Sequence, residues 1–182
     1  MRVKDEQRQA ELQKAKARGD SVDAGELDEA VARLAHAWHG GFEAQKEADA
    51  IAAKFTELGI ASFYLAITGE VLCRGVKPNG EPWRIGVVDP ASDSSSGQTP
   101  IVTLPLRDGA LCSSGDYRNA VIVGGRVVHH IFDPRTGRNP EHALVSVSVI
   151  AESCAVADAL GTALMVMGDE AAKERWSGLD VI

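Results

Sequence analysis

Between Ala61 and Ala151 the apolar residues fall into short runs of period two, and turn-forming residues separate the runs. That pattern admits short strands joined by tight connections and leaves no room for crossover helices between them. The runs are Ala61–Ile67 and Glu70–Arg74 around Thr68-Gly69, then Trp83–Val88 after a turn at Lys77–Pro82. Ile101–Leu106 follows a loop at Asp89–Pro100 with the serine-rich run Ser92–Gly97. Ala120–Val123 and Arg126–Phe132 flank Gly124-Gly125, a hairpin signal, and Leu144–Ala151 is rich in β-branched residues. On both sides the period becomes helical. Ala44, Ala48, Ile51, Ala52 and Phe55 form one face of a helix over residues 43–57 that stops at Gly59. Ser153–Met167 reads as a strong helix and Asp169–Trp176 as a short one. Helices, then strands, then helices predict an α+β fold with a mainly antiparallel sheet flanked by helices.

Residues 1–39 differ in composition and are expected to form a separate helical N-terminal region, ahead of a domain at 40–182. Asp5–Arg18 is a charged helix with few anchors, interrupted at Gly19-Asp20-Ser21. Leu27, Val31, Leu34, Ala35 and Trp38 give a second helix, ended by His39-Gly40-Gly41. A net charge of −7 makes the chain a poor match for a nucleic-acid backbone. No apolar run approaches the roughly 20 residues of a membrane span. The polar start, Met1–Lys16, carries no export signal, so the chain as written is expected in the cytoplasm. Cys73, Cys112 and Cys154 are odd in number and far apart, which gives neither a disulfide framework nor a metal cluster and suits a reducing compartment.

Three segments can carry chemistry. Asp158 and Thr162 are four residues apart, on one helix face, and offer two hard oxygens of the kind Mg²⁺ takes. The plainer alternative is a solvated helix-surface pair; if the two are ligands, Asp158→Ala should abolish Mg²⁺-dependent behaviour while folding changes little. His129-His130 precede the rigid turn Asp133-Pro134-Arg135-Thr136-Gly137. Alternation sends the two imidazoles to opposite faces, so only one can reach a given cleft. The alternative is one surface and one core histidine. Ser113-Ser114-Gly115-Asp116-Tyr117 reads as a loop whose N–H groups could meet an anion, or as a simple polar turn. Rossmann and P-loop glycine patterns are absent from the sequence.

In series, these segments resemble the FAD:protein FMN transferases, the ApbE-type flavin transferases. The resemblance runs through Thr68-Gly69-Glu70-Val71, Pro82–Val87, Ser114-Gly115-Asp116-Tyr117, His130–Gly137, Ser146–Val149 and Ala157–Leu164, over roughly residues 45–170. It implies an ApbE-like, T-fold-like domain, incomplete at its N-terminus. It further implies Mg²⁺-dependent transfer of FMN from FAD to a Thr or Ser hydroxyl of an acceptor protein, with release of AMP. Asp158, Gly161 (through its backbone), Thr162 and Gly41 would be the metal group. His130, Ser114 and Gly115 would contact FAD, with His130 and Asp158 as the catalytic pair. His130, not His129, should then lie on the Asp158 side of the sheet. The pattern departs at Trp38, Ala44, Gln45 and Ala66, where the family carries other residues. Members also have about a hundred or more residues ahead of this point. Two alternatives follow: a non-catalytic flavin- or partner-binding member, or a Mg²⁺-dependent FAD pyrophosphatase. The reduced front further implies a homo-oligomer or a second chain beside Gly40–Gly41. The family commonly works in the periplasm or cell envelope.

Overall fold

The computed structural model describes residues 45–67, 69–92, 99–117 and 119–170. Residues 45–57 are helical (α1), and a second helix, α2, spans Cys154–Met167. Between them lie β1 (Phe63–Ile67), β2 (Glu70–Arg74), β3 (Trp83–Val88), β4 (Pro100–Leu106), β5 (Gly109–Gly115), β6 (Ala120–Val123), β7 (Arg126–His129) and β8 (Ser146–Ala151). The main sheet has the order β1-β2-β5-β8 and is antiparallel throughout, while β3-β4 and β6-β7 are two-stranded ribbons. The α+β architecture expected from the sequence is therefore the one observed.

Period-two alternation sorts the sheet into two faces. On one, Phe63, Leu72, Ala110, Cys112, Val147 and Val149 pack with Ala48 and Ala52 of α1 and with Ala157, Leu164 and Met165 of α2. On the other, Val71, Cys73 and Leu111 meet Ile85, Val87 and Leu106 of the β3-β4 ribbon. The small residues facing α2 let it sit close to β5: Ala110 and Ala157 are both fully buried. Gly124 (φ 53°) and Gly125 (φ 80°) supply the two positive dihedrals that a tight β6-β7 turn requires.

α2 begins and ends on identifiable caps. Ser153 sits in extended conformation with its Oγ accepting from the Val156 N–H, and Gly168 closes the helix with its N–H on the Leu164 carbonyl. A second N-terminal cap comes from another element. The Asp49 carboxylate of α1 accepts from the Cys154 N–H at 2.8 Å and the Ala155 N–H at 3.0 Å.

Ser113-Ser114-Gly115 is the end of a central strand, not a loop, and its residues pair with Ser148, Val147 and Ser146 of β8. A strand built of small residues and buried on both faces shows no apolar–polar alternation, so the period-two signal is missing there. β7 stops at His129, three residues short of the expected end. Residues 1–39, expected to be helical, Gly40–Ala44, residues 93–98 and the part of the last expected helix beyond Glu170 lie outside the described residues. No described helix is long and apolar enough to cross a membrane.

Candidate functional site

The site is built where α2 crosses the ends of β2 and β5. Asp158 is one turn into α2, half-buried, and its carboxyl is pushed up to about 6, first by burial and then by the nearby Glu70 carboxylate. Glu70 opens β2 two residues before Leu72, on the sheet face that α2 covers. Ser114 is on the same face of β5 as Ala110 and Cys112 and is buried. Gly161 lies directly above it, since a Cβ at position 161 would stand 2.9 Å from Ser114 Oγ. The fold thus brings Asp158, Gly161 and Ser114 of the expected set to one place, with Thr162 one turn on from Asp158. Gly41 lies outside the described residues.

Gly115 needs to be glycine for a local reason. A Cβ there would come within 2.5 Å of the Tyr117 ring. Gly115→Ala is expected to displace Tyr117 and cost roughly 1–3 kcal/mol, the range for overpacking; a urea-unfolding midpoint equal to the parent's would refute this.

His130 stands just beyond β7. Its Nδ1 is 3.4 Å from the Asn119 carbonyl, and its backbone N–H donates to the same oxygen. Burial holds its imidazole below the ordinary histidine range, against the opposing pull of the Asn119 hydrogen bond and the Asp116 carboxylate. It is therefore mainly neutral at pH 7. Asp116, two residues after Ser114, links this histidine electrostatically to β5. His129 is buried, 7% exposed, whereas His130 is only half-buried. Alternation alone does not explain that split, because His130 is already outside the strand.

Two residues with roles here carry no clear signal in the sequence. Glu70 is visible there only as part of a Gly-Glu match, and nothing local marks its approach to Asp158. Asn139 clamps the histidine segment: its Oδ1 accepts from the His129 N–H, and its Nδ2 donates to the carbonyls of His129 (2.8 Å) and Ile131 (2.6 Å). The turn that delivers Asn139 is fixed by Asp133, whose carboxylate takes the Arg135 N–H and guanidinium. Gln45, a departure from the resembled pattern, is buried at 4% exposure, with an Oε1 that has no hydrogen-bond partner among the described residues.

The arrangement offers a desolvated carboxylate, a second carboxylate, two hydroxyls and a close-approach glycine. Among the described residues, His, Cys, Asp and Glu do not gather in threes or more as metal ligands. Any cation here would therefore rely on hydroxyl and backbone oxygens beside the carboxylates, which suits a hard ion rather than zinc.

Comparison with known proteins points to one family. The sequence model of the ApbE family matches residues 40–181. The chain is 41% identical over 122 residues to the FAD:protein FMN transferase of Vibrio cholerae serotype O1, covering 67% of this chain and 36% of that protein. With the FAD:protein FMN transferase of Escherichia coli K12 it shares 38% identity over 136 residues, covering 74% of this chain and 38% of the relative. Among solved structures, the apo flavinyl transferase ApbE of Pseudomonas stutzeri superimposes with a TM-score of 0.60 at 35% identity, covering 76% of this chain and 42% of that one. The ApbE protein of Thermotoga maritima gives 0.54 at 36% identity, covering 66% and 38%. The chain thus spans well under half the length of the relatives it matches.

Proposed function

Because this chain belongs to the ApbE family, we propose that it serves Mg²⁺-dependent transfer of FMN from FAD to a Thr or Ser hydroxyl of an acceptor protein, with release of AMP. The observation that carries this reading is the Asp158 carboxyl, held in a desolvated place opposite Glu70 and beside Thr162. Burial and the Glu70 carboxylate disfavour the charge of Asp158, and a divalent cation beside it relieves that cost.

In this reading Asp158, Thr162 and the Gly161 backbone would hold Mg²⁺, with the Gly41 carbonyl as a further ligand. The bound cation would draw charge from the FAD pyrophosphate and so ease cleavage of its phosphorus–oxygen bond. Ser114 and Gly115 would orient the phosphate oxygens. The acceptor oxygen would form a new bond to the FMN phosphorus as the bond to AMP breaks. His130, mainly neutral at pH 7 with Nδ1 turned to Asn119, has Nε2 to accept the hydroxyl proton.

Incubation with FAD, Mg²⁺ and a flavin-acceptor peptide tests this directly. The expected products are a covalently yellow peptide and one AMP per flavin transferred. AMP and free FMN without labelled peptide would favour the pyrophosphatase reading. Absence of both would leave a non-catalytic binding member. Asn139→Ala should slow transfer by about ten- to a hundred-fold, as expected when the support of a site residue is lost. Unchanged turnover in that variant would remove the clamp from the mechanism.

A further inference from the structure

Cys112 and Cys154 are 42 residues apart in sequence, and the fold sets them against each other. Cys112 lies on the α2-facing side of β5, and Cys154 is the first residue of α2. Each is 1% exposed, and both belong to one core cluster. The Cys112 thiol reaches the Cys154 carbonyl at 3.5 Å. The third cysteine, Cys73, belongs to the cluster on the opposite face of the sheet. We propose that Cys112 and Cys154 are a disulfide-forming pair, a covalent modification site that ties α2 to β5 next to the candidate site. All three cysteines are free thiols in the structure.

The position gives the bond its meaning. Cys154 is one helical turn before Asp158, and Cys112 is two residues before Ser114 on the same strand face. A cross-link there fixes the two elements whose separation defines the site. The oxidant is a disulfide-bearing molecule of the glutathione-disulfide class. A thiolate of one cysteine attacks it to give a mixed disulfide and one released thiol. The second cysteine then displaces the other thiol, so two protons and two electrons pass from the pair to the oxidant. Hydrogen bonding to Cys154, followed by burial, pushes the Cys112 thiol far above the ordinary range, which makes exchange in the folded chain slow. The bond therefore forms during folding, or through opening of the first turn of α2. Closing a loop of this length restrains the unfolded chain and should raise Tm by on the order of 10 °C.

The test is refolding of the full chain in glutathione buffers of graded oxidised fraction, followed by alkylation, peptide mapping and thermal melts. The expected result is loss of two hydrogens, a linked pair of peptides bearing Cys112 and Cys154, and an alkylated Cys73. The thermal gain should vanish with dithiothreitol and in Cys112→Ala and Cys154→Ala, and survive in Cys73→Ala. Three alkylated thiols after oxidative refolding, or a linkage through Cys73, would overturn the proposal. So would a linked chain with a lower Tm than the reduced one. The linkage map of the parent decides the matter even where an alanine variant fails to fold.

Discussion

In the absence of divalent metal at pH 7, Asp158→Asn is expected to unfold several degrees above the parent, and to gain nothing when Mg²⁺ is added. The Asp158 carboxyl is raised from 3.8 to about 6 by burial and by Glu70. Folding therefore favours its protonated form. Between these two values the folded state holds more protons than the unfolded state, so stability falls as pH rises. The contribution is fully present below about pH 4 and is lost as pH passes through about 6. A shift of this size would set an upper limit of about 3 kcal/mol, and partial exposure to solvent reduces that to on the order of 1–2 kcal/mol. The neutral amide removes the cost at pH 7 and keeps the shape. For a chain of this length, each kcal/mol moves Tm by about 2–4 °C. The parent should recover the same margin by binding Mg²⁺, which acts only on the folded state. A melting series over roughly pH 4–8, with and without Mg²⁺, separates the two effects. The parent curve should slope downward with pH, and the curve of the Asp158→Asn variant should be flatter. Equal slopes would refute the raised Asp158 carboxyl, and a Mg²⁺ gain retained in the variant would remove Asp158 from the metal group.

The spacing of Asp158 and Thr162 is enough to name the pair and too little to describe its surroundings. Read from helix period alone, Asp158 is as well suited to solvent as to a site, and its removal should leave folding nearly unchanged. Glu70 and the β5 strand lie 88 and about 45 residues away in the chain, and their approach to Asp158 is a product of sheet order β1-β2-β5-β8. Strands with one polar or exposed face, such as β3 and the β6-β7 ribbon, are legible because alternation and the Gly-Gly turn are local. β5 is hidden because Gly109, Ala110, Cys112, Ser113, Ser114 and Gly115 carry no period of their own. The same long-range pairing conceals the cysteines. Three thiols spread along the sequence read as unrelated, while antiparallel pairing of β5 with β8 and the turn into α2 bring two of them into one cluster.

Asp49→Ala is expected to be the most damaging single substitution outside the hydrophobic core. α2 has no acidic residue in its first turn, although it carries the candidate metal group. The negative charge and the two acceptors at its N-terminus come instead from α1, through Asp49 to the N–H groups of Cys154 and Ala155. Cys154 is 1% exposed, so water cannot readily replace the lost acceptor there. Removing a charged acceptor and leaving a buried N–H unsatisfied costs roughly 2–4 kcal/mol. Ser153 Oγ remains on the Val156 N–H and limits the fraying to the first turn. Asp49→Asn keeps one acceptor oxygen and should restore about half of the loss, since capping Asn and Asp are nearly equivalent apart from charge. Urea unfolding should show a lowered midpoint with an unchanged slope. Because Asp158 is one turn from the loosened end, Mg²⁺ affinity should fall together with stability in Asp49→Ala and partly recover in Asp49→Asn. If Asp49→Ala unfolds at the parent's midpoint, the α1–α2 bridge contributes nothing. The placement of Asp158 must then rest on the packing of Ala157, Leu164 and Met165 against the sheet alone.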